Sequence, residues 1–340
     1  MKFEEYLHKH RDSVYDKICE YLPSKEPKEH YKMVREYVDR KGKYTRPIFL
    51  VLWTELHGGD PKKAILPATA MQASQDWILI HDDIEDGNKI RRDEPTAWVK
   101  YGINYAINAG DALHMIMWKI VHDAVNHLGD TIGKRYYDKF YNMLIVTAEG
   151  QYLDLHLAHD VKDITKFTLE DYYKSIHGKS GYYSVYGPMQ MGAIIAGKDD
   201  AYVNRIKEYG ELIGNAFQLK DDILDCTATE EVLGKTHGND VYENVKTAIL
   251  WHFVKNASKP DLEKVKEIYT KERDEKSPEE VQEVLDLFNR YGSITYAKEL
   301  VDKLAKDALT KFEEVSKDIP ESDLKETARD AIRKMAERRK

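Results

Sequence analysis

Two short runs of the sequence concentrate carboxylates directly after apolar segments. In IHDDIEDGN, Asp82, Asp83 and Asp86 stand within five residues of one another. On a helix Asp82 and Asp86 are i and i+4, so their carboxylates share one face and converge on one cation, while Asp83 points elsewhere. With Glu85 added, four acids repel one another and disfavour a helix unless a cation or a basic ligand offsets them. The second run, FQLKDDILDC, repeats the arrangement with Asp221, Asp222 and Asp225. One DDxxD alone is equally well a solvated acidic helix end; two copies with matching apolar lead-ins are not accounted for in that way. Carboxylates without nearby Cys, and without a His pair at ligand spacing, suit a hard cation. Mg2+ takes one or two carboxylates, keeps waters, and completes its shell with phosphate oxygens. The implied ligand is a diphosphate.

A diphosphate also needs basic groups, and the chain offers them in short clusters. RKGKYTRP supplies Lys43 and Arg46 beside Gly42, IRRDEP supplies Arg91 and Arg92, HGKSG supplies Lys179 with the Ser180 hydroxyl, and LGKTHGNDVYENVKT supplies Lys235 and Lys246. Each cluster taken singly reads as solvated surface, and their weight is joint. A glycine beside Lys43, Lys179 and Lys235 is expected to permit close backbone approach to a ligand. The stretch from Thr227 to Gly238 is expected to act as a lid that brings Lys235 over phosphate.

The elements that must carry these groups are helices. Apolar residues recur at intervals of three and four, as in Ile48, Leu52 and Leu56 or Leu304, Ala308 and Phe312, and strict strand-like alternation is rare. Gly, Pro, Asp and Ser clusters near Pro23–Pro27, His57–Pro61, Gly87–Pro95, Gly197–Asp199, Thr227–Asp240, Ser277–Pro278 and Pro320–Ser322 separate them. About a dozen helices follow, with long ones near 101–128, 131–159 and 199–225, expected to pack as one all-α bundle over residues 1–340. Of the 340 residues, 42% are hydrophobic and 33% charged, with 10 prolines, which fits a folded, helix-rich chain rather than a disordered one. A net charge of -8 gives no basic face for nucleic acid. The two cysteines, Cys19 and Cys226, match neither a disulfide framework nor a zinc spacing, so a cytoplasmic location is expected. The first residues lack the apolar core of a secretory signal, and no run approaches the ~20 apolar residues of a membrane span.

Taken together, two DDxxD motifs, an Arg pair after the first, a central GK[ST], and FQxxDDxxD leading to a GK loop resemble the trans-isoprenyl diphosphate synthases, the family of geranyl, farnesyl and geranylgeranyl diphosphate synthases. The motifs run from about residue 39 to 250. The resemblance implies the isoprenoid-synthase helical bundle with a central active-site cavity, a homodimer, and three Mg2+ ions with bound diphosphate. It implies that Asp82, Asp86 and Asp221 hold the metal, with Asp83, Asp222 and Asp225 in support or bound through water. Arg91, Lys179, Lys235 and Lys246 would grip the allylic diphosphate (dimethylallyl, geranyl or farnesyl). Lys43, Arg46, Gln75 and Arg92 match the isopentenyl diphosphate pocket, and GQYLD places Gln151 and Asp154 near the metals. The chain departs from the usual GGKRxRP, with Lys41 in place of a glycine and Tyr44 in place of an arginine; Ser180 stands where Thr is common.

The reaction so implied ionises an allylic C–O bond and adds isopentenyl diphosphate to the resulting cation. Carbonyl and hydroxyl dipoles around Lys179 and Ser180, with the Gln218 side chain, would face that cation; the released diphosphate takes the final proton, and His81 is read as a packing residue. One helical turn rises ~5.4 Å, about one isoprene unit, so Trp77 and Ile78, then Ser74, lie at successive product lengths before Asp82. The bulk of Trp77 implies a C15 or C20 product, with C20 ahead. Two alternatives stand beside this reading: a terpene cyclase, which has no need of an isopentenyl pocket, and a non-catalytic regulatory subunit of a heteromeric synthase, which would be expected to lack acids of one motif.

Overall fold

In the computed structural model, residues 1–229 and 237–337 are described. The helices run α1 Phe3–Tyr21, α2 Lys28–Asp39, α3 Thr45–Leu56, α4 Pro61–Glu85, α5 Ala97–Tyr101, α6 Ile103–Leu128, α7 Asp130–His159, α8 Leu169–Ile176, a π-helix His177–Tyr186, α9 Gly187–Ile195 and α10 Asp200–Thr227. They continue with α11 Asn239–Tyr242, α12 Ala248–Asn256, α13 Lys259–Ile268, a 3-10 turn Arg273–Glu275, α14 Pro278–Arg290, α15 Ser293–Val315 and α16 Asp323–Glu337. The fold is all-α. Among the described residues strand is confined to one hairpin, β1 Ile90–Arg91 paired antiparallel with β2 Glu94–Pro95. Its turn residues, Arg92 and Asp93, both take positive φ (55° and 63°), as tight hairpin turns require. No described helix is long and apolar enough to cross a membrane.

The chain forms two compact units that interleave in sequence. One comprises Met1–Asn142, Ser184–Lys207 and Glu314–Ala331, the other Met143–Tyr183, Glu208–Glu313 and Ile332–Lys340. In the first unit, α4 packs on α6, α3 and α1, and α3 packs on α9. Helix α3 is apolar along its middle and largely interior, with every residue from Ile48 to Trp53 at 0% exposure, as such a pattern dictates. Gly192 lets α9 close on it, since a Cβ there would lie 2.5 Å from the Leu50 carbonyl oxygen. Helix α6 turns Ala106, Ala109, Gly110, Leu113 and Met117 inward, a narrow face that brings α4 near.

The second unit has its own apolar core, in which Phe167, Tyr172, Ile223, Phe253, Tyr269 and Phe288 are among the buried side chains. Glycine pairs set the π-helix between α7 and α10. A Cβ on Gly178 would fall 2.3 Å from the Val146 carbonyl oxygen, one on Gly150 2.3 Å from the Lys179 nitrogen, and one on Gly214 2.4 Å from the Gly181 Cα. The expectation that the glycine beside Lys179 admits a ligand is therefore corrected: Gly178 makes room for the backbone of α7. The π-helix itself, a rare form that concentrates at functional sites, was not expected from HGKSG.

Candidate functional site

Both aspartate motifs end a long helix, and neither α4 nor α10 carries a basic residue in its last turn. Acids at a helix C-terminus face the negative end of the helix dipole, so each motif stands in an environment that calls for a cation. In the first unit that cation is in part Arg91, which the hairpin turns back onto the motif. Its Nε donates to both oxygens of Asp83 at 2.7 and 2.8 Å, and its Nη2 reaches Asp82 at 3.3 Å. Asp83 is fully buried and also accepts the Tyr37 hydroxyl at 2.5 Å. Burial pushes the Asp83 carboxyl above its ordinary value, and the Arg91 bonds pull it back. Burial likewise opposes charge on Arg91, but the bonds to Asp83 outweigh it and hold the guanidinium protonated. Asp82 and Asp86 are half-buried.

The second motif has the same division of labour. Asp222 is buried and accepts the Tyr172 hydroxyl at 2.7 Å and the Gln218 amide at 2.9 Å; burial raises its carboxyl, which those bonds only partly offset. Asp221 is half-buried, and Asp225 accepts the Asp240 backbone N–H at 2.9 Å. Thus the middle acid of each motif is buried and held by a buried tyrosine, while the first acid keeps access to solvent. Neither tyrosine is visible from the motif, because each comes from a distant helix, α2 or α8.

Ser180, Gln218 and Lys179, singled out in the sequence, are each tied into hydrogen bonds. The Ser180 hydroxyl donates to Gln218 Oε1 at 2.6 Å, and the same amide's Nε2 bonds Asp222, so its orientation is fixed. Lys179 Nζ donates to Asp154 Oδ2 at 2.7 Å, joining the π-helix to the GQYLD stretch of α7. Lys246 is 3% exposed, donates to the Asn244 carbonyl at 2.8 Å, and has its ammonium pushed down to about 7, by burial first and then by Lys276 and Lys162. Lys235 and most of the expected lid, like the end of the C-terminal ERRK, lie outside the described residues.

In the first unit the basic groups gather around an acid that the sequence reading missed. Asp76 is fully buried, accepts the Gln72 amide at 3.0 Å, and stands 3.8 Å from Arg92 Nη2. Burial raises its carboxyl to about 7 against the pull of Arg92 and Arg46. Arg92 also donates to the Tyr37 carbonyl at 3.1 Å, and Gly42 gives it room, since a Cβ there would lie 2.6 Å from Nη2. Arg46 donates to the Ser184 hydroxyl from Nε at 3.1 Å and Nη2 at 2.7 Å, and Lys43 is exposed. The two departures from the family pattern have plain local consequences. Lys41 keeps a glycine-like φ of 47° and lays its ammonium over the Tyr15 ring at 3.9 Å. Tyr44 takes φ 59° as the cap of α3 and is buried, with its hydroxyl near Asp76 and Arg92. The side-chain carbonyl of Gln75 is buried without a hydrogen bond, as are the Tyr44 hydroxyl and Asp76 Oδ1 beside it.

One turn and more before Asp82, Trp77 packs at a tilt against His114 of α6 at 4.6 Å and meets His81 edge-on at 5.7 Å. Trp118 Nε1 donates to His114 Nε2 at 2.9 Å, which fixes that ring. His81 seats against Gly110, where a Cβ would fall 2.3 Å from Nε2, and meets the Ile107 carbonyl at 3.2 Å, so it packs the α4–α6 contact. Ser74 is buried and donates to the Met71 carbonyl at 2.8 Å, and Ile78 is half-buried.

The donor set fits Mg2+. The available atoms are carboxylate oxygens, and among the described residues no three His, Cys, Asp or Glu side chains converge as a preformed cage. Carboxylate oxygens are the protein donors that Mg2+ takes, one or two at a time, with phosphates and waters completing its shell.

Residues 27–288 match the model of the polyprenyl synthetase family. The chain is 32% identical to a geranylgeranyl diphosphate synthase of Sulfolobus acidocaldarius over 98% of both chains, and 33% identical to one of Methanosarcina mazei over 93% of both. The crystal structure of a geranylgeranyl pyrophosphate synthetase from Pyrococcus horikoshii superposes with a TM-score of 0.85 at 32% identity, covering 99% of this chain and 100% of that one. With two complete aspartate motifs, the Arg pair and the GKS segment inside the matched region, the chain belongs to the polyprenyl synthetase family and is a trans-prenyltransferase of the short-chain class.

Proposed function

We propose that the protein condenses isopentenyl diphosphate with an allylic diphosphate, head to tail, to make geranylgeranyl diphosphate. The observation that carries the reading is the paired construction of the two motifs, each with a solvent-accessible first acid beside a buried, tyrosine-held second acid. Asp82, Asp86 and Asp221 would hold three Mg2+ ions. When bound, the metal supplies neutralisation of charge on the departing diphosphate. Arg91, Lys179 and Lys246 then add charge-assisted bonds to phosphate oxygens, and Lys235 joins them by family resemblance. Lys43, Arg46 and Arg92 hold isopentenyl diphosphate with its double bond towards the allylic carbon, and that fixed approach supplies several kcal/mol of the barrier reduction. Gln218, locked between Ser180 and Asp222, keeps its carbonyl dipole in place to face positive charge. The new C–C bond forms as the allylic C–O bond is lost, and the released diphosphate takes the proton that leaves the added unit.

The two units serve one catalytic domain in this reading. Their interleaving in sequence supports it, because neither is a contiguous piece of chain. A homodimer is supported by the exposed apolar side chains of α6 and α7: Ile103, Ile107 and Met115 on one, and Tyr137, Tyr141 and Ile145, spaced four apart, on the other. A cytoplasmic location fits a two-cysteine chain and its water-borne diphosphate substrates. A cyclase or a silent subunit is not favoured, since relatives along the whole chain are synthases.

Incubating the purified protein with Mg2+, labelled isopentenyl diphosphate and each allylic primer, then sizing the products, tests the proposal. Incorporation ending at C20 is expected, and no consumption of isopentenyl diphosphate would refute it. Product length depends on Trp77. Replacing it with Ala removes a ring packed against His114 and opens about one isoprene unit per helical turn, so Trp77→Ala is expected to lengthen the main product by at least one C5 unit. An unchanged distribution removes Trp77 as the floor.

A further inference from the structure

From Gly238 to Lys246 the chain makes one short helix, α11, and a turn, and a lysine from outside every motif holds that turn together. Lys276 is 6% exposed, and its ammonium donates to the Val241 carbonyl at 2.8 Å, the Tyr242 carbonyl at 2.7 Å and Asn244 Oδ1 at 2.8 Å. An ammonium has three N–H donors, so Lys276 spends all of them inside the protein. Both carbonyls lie at the C-terminal end of α11, where helix acceptors outnumber helix donors, and the Val241 carbonyl also receives the Asn244 N–H at 3.3 Å. Asn244 is held in the left-handed region at φ 58°. It spans the cluster: its carbonyl receives Lys246, its Oδ1 receives Lys276, and its Nδ2 donates to the Lys271 carbonyl at 3.0 Å.

Lys246 differs from Lys276 in one respect that matters. Among the described residues it gives one hydrogen bond, to a neutral carbonyl, and so keeps two donors for a ligand. Both ammoniums sit over the ring of Tyr269, Lys246 at 5.4 Å and Lys276 at 5.8 Å. Two buried like charges on one ring are costly, and an arriving anion at Lys246 relieves that cost. The other end of the turn reaches the metal motif, where the Asp240 N–H meets Asp225 Oδ2 at 2.9 Å and the Gly238 N–H meets the Asp225 carbonyl at 3.1 Å.

We propose that Lys276 is a positioning residue for diphosphate binding: by saturating its donors on the 241–244 turn it sets Asn244, and through Asn244 it aims the two remaining N–H groups of Lys246. The inference rests on the reading of Lys246 as a diphosphate ligand.

The test uses full-length Lys276→Met and Lys276→Arg beside the wild type. It measures titration with Mg2+ and inorganic diphosphate, KM for each substrate, and the urea unfolding midpoint. Lys276→Met is expected to weaken diphosphate binding and raise the allylic KM about tenfold, the scale of a lost orientation for a charge-assisted bond, while the isopentenyl KM stays within about twofold. Lys276→Arg keeps charge and donors, and is expected to recover most of the loss. A purely structural residue would move the midpoint and leave that split absent, so wild-type diphosphate affinity in Lys276→Met, or equal loss for both substrates, overturns the proposal. If Lys276→Met does not fold, Asn244→Ala takes its place with the same expected split and the same refuting result. Failure of the wild type itself to bind Mg2+ and diphosphate would instead defeat the functional reading beneath it.

Discussion

Asp82→Ala and Asp221→Ala each lower kcat by about 10³-fold or more, with the fold intact. Removing one preorganised group that stabilises transition-state charge costs about 10²–10³ in rate, and losing an anchor for a divalent cation adds to it. For Asp82 the structure shows a peripheral contact only. The Asp82 side chain is 18% exposed and meets Arg91 at 3.3 Å, while Arg91 keeps its bonds to Asp83 without it. Its contribution to stability is therefore that of a peripheral ion pair, about 1 kcal/mol or less. Steady-state turnover beside a urea melt separates the two effects; near-normal turnover in either variant would contradict the assignment.

Asp83→Ala has the opposite character. It removes a fully buried carboxylate that accepts Arg91 twice and Tyr37 once, leaving a largely buried guanidinium and a buried hydroxyl without their acceptor. Breaking a buried pair from one side costs about 3–5 kcal/mol, and since the Arg91 side chain is 25% exposed, about 3 kcal/mol is expected. The measurement is the urea midpoint at constant m-value. A loss below about 1 kcal/mol would show that water reaches the pair and that Asp83 is no structural support. Asp82 and Asp83 are adjacent in sequence, yet one variant is expected to be inactive and stable, and the other unstable first.

That contrast also marks how far the sequence could be read. Helix type and the long spans were legible because apolar spacing is local: the expected 101–128, 131–159 and 199–225 appear as Ile103–Leu128, Asp130–His159 and Asp200–Thr227. Ser180 and Gln218 were singled out for the roles their motifs imply, but the hydrogen bond that joins them was not foreseen. What escaped was everything that depends on tertiary proximity. Tyr37 and Tyr172 carry no motif and reach the acids from other helices. Asp76 sits in plain view beside Gln75, but only burial reveals it as a counter-charge to Arg92. The π-helix follows from glycine contacts across three helices, Gly150 with Gly178 and Gly181 with Gly214, and HGKSG alone reads as a loop. One signal was available: glycines recurring on α7, the GKS segment and α10 are what close backbone packing requires.

The central claim is that both acidic motifs act on one diphosphate through Mg2+, and calorimetric titration with an allylic diphosphate analogue that cannot ionise tests it most directly. Wild type, Asp82→Ala and Asp221→Ala are titrated with and without Mg2+. Metal-dependent binding in the wild type, weakened at least tenfold by either substitution, is the predicted result. Binding that needs no Mg2+, or that survives unchanged in one of the two variants, would contradict it.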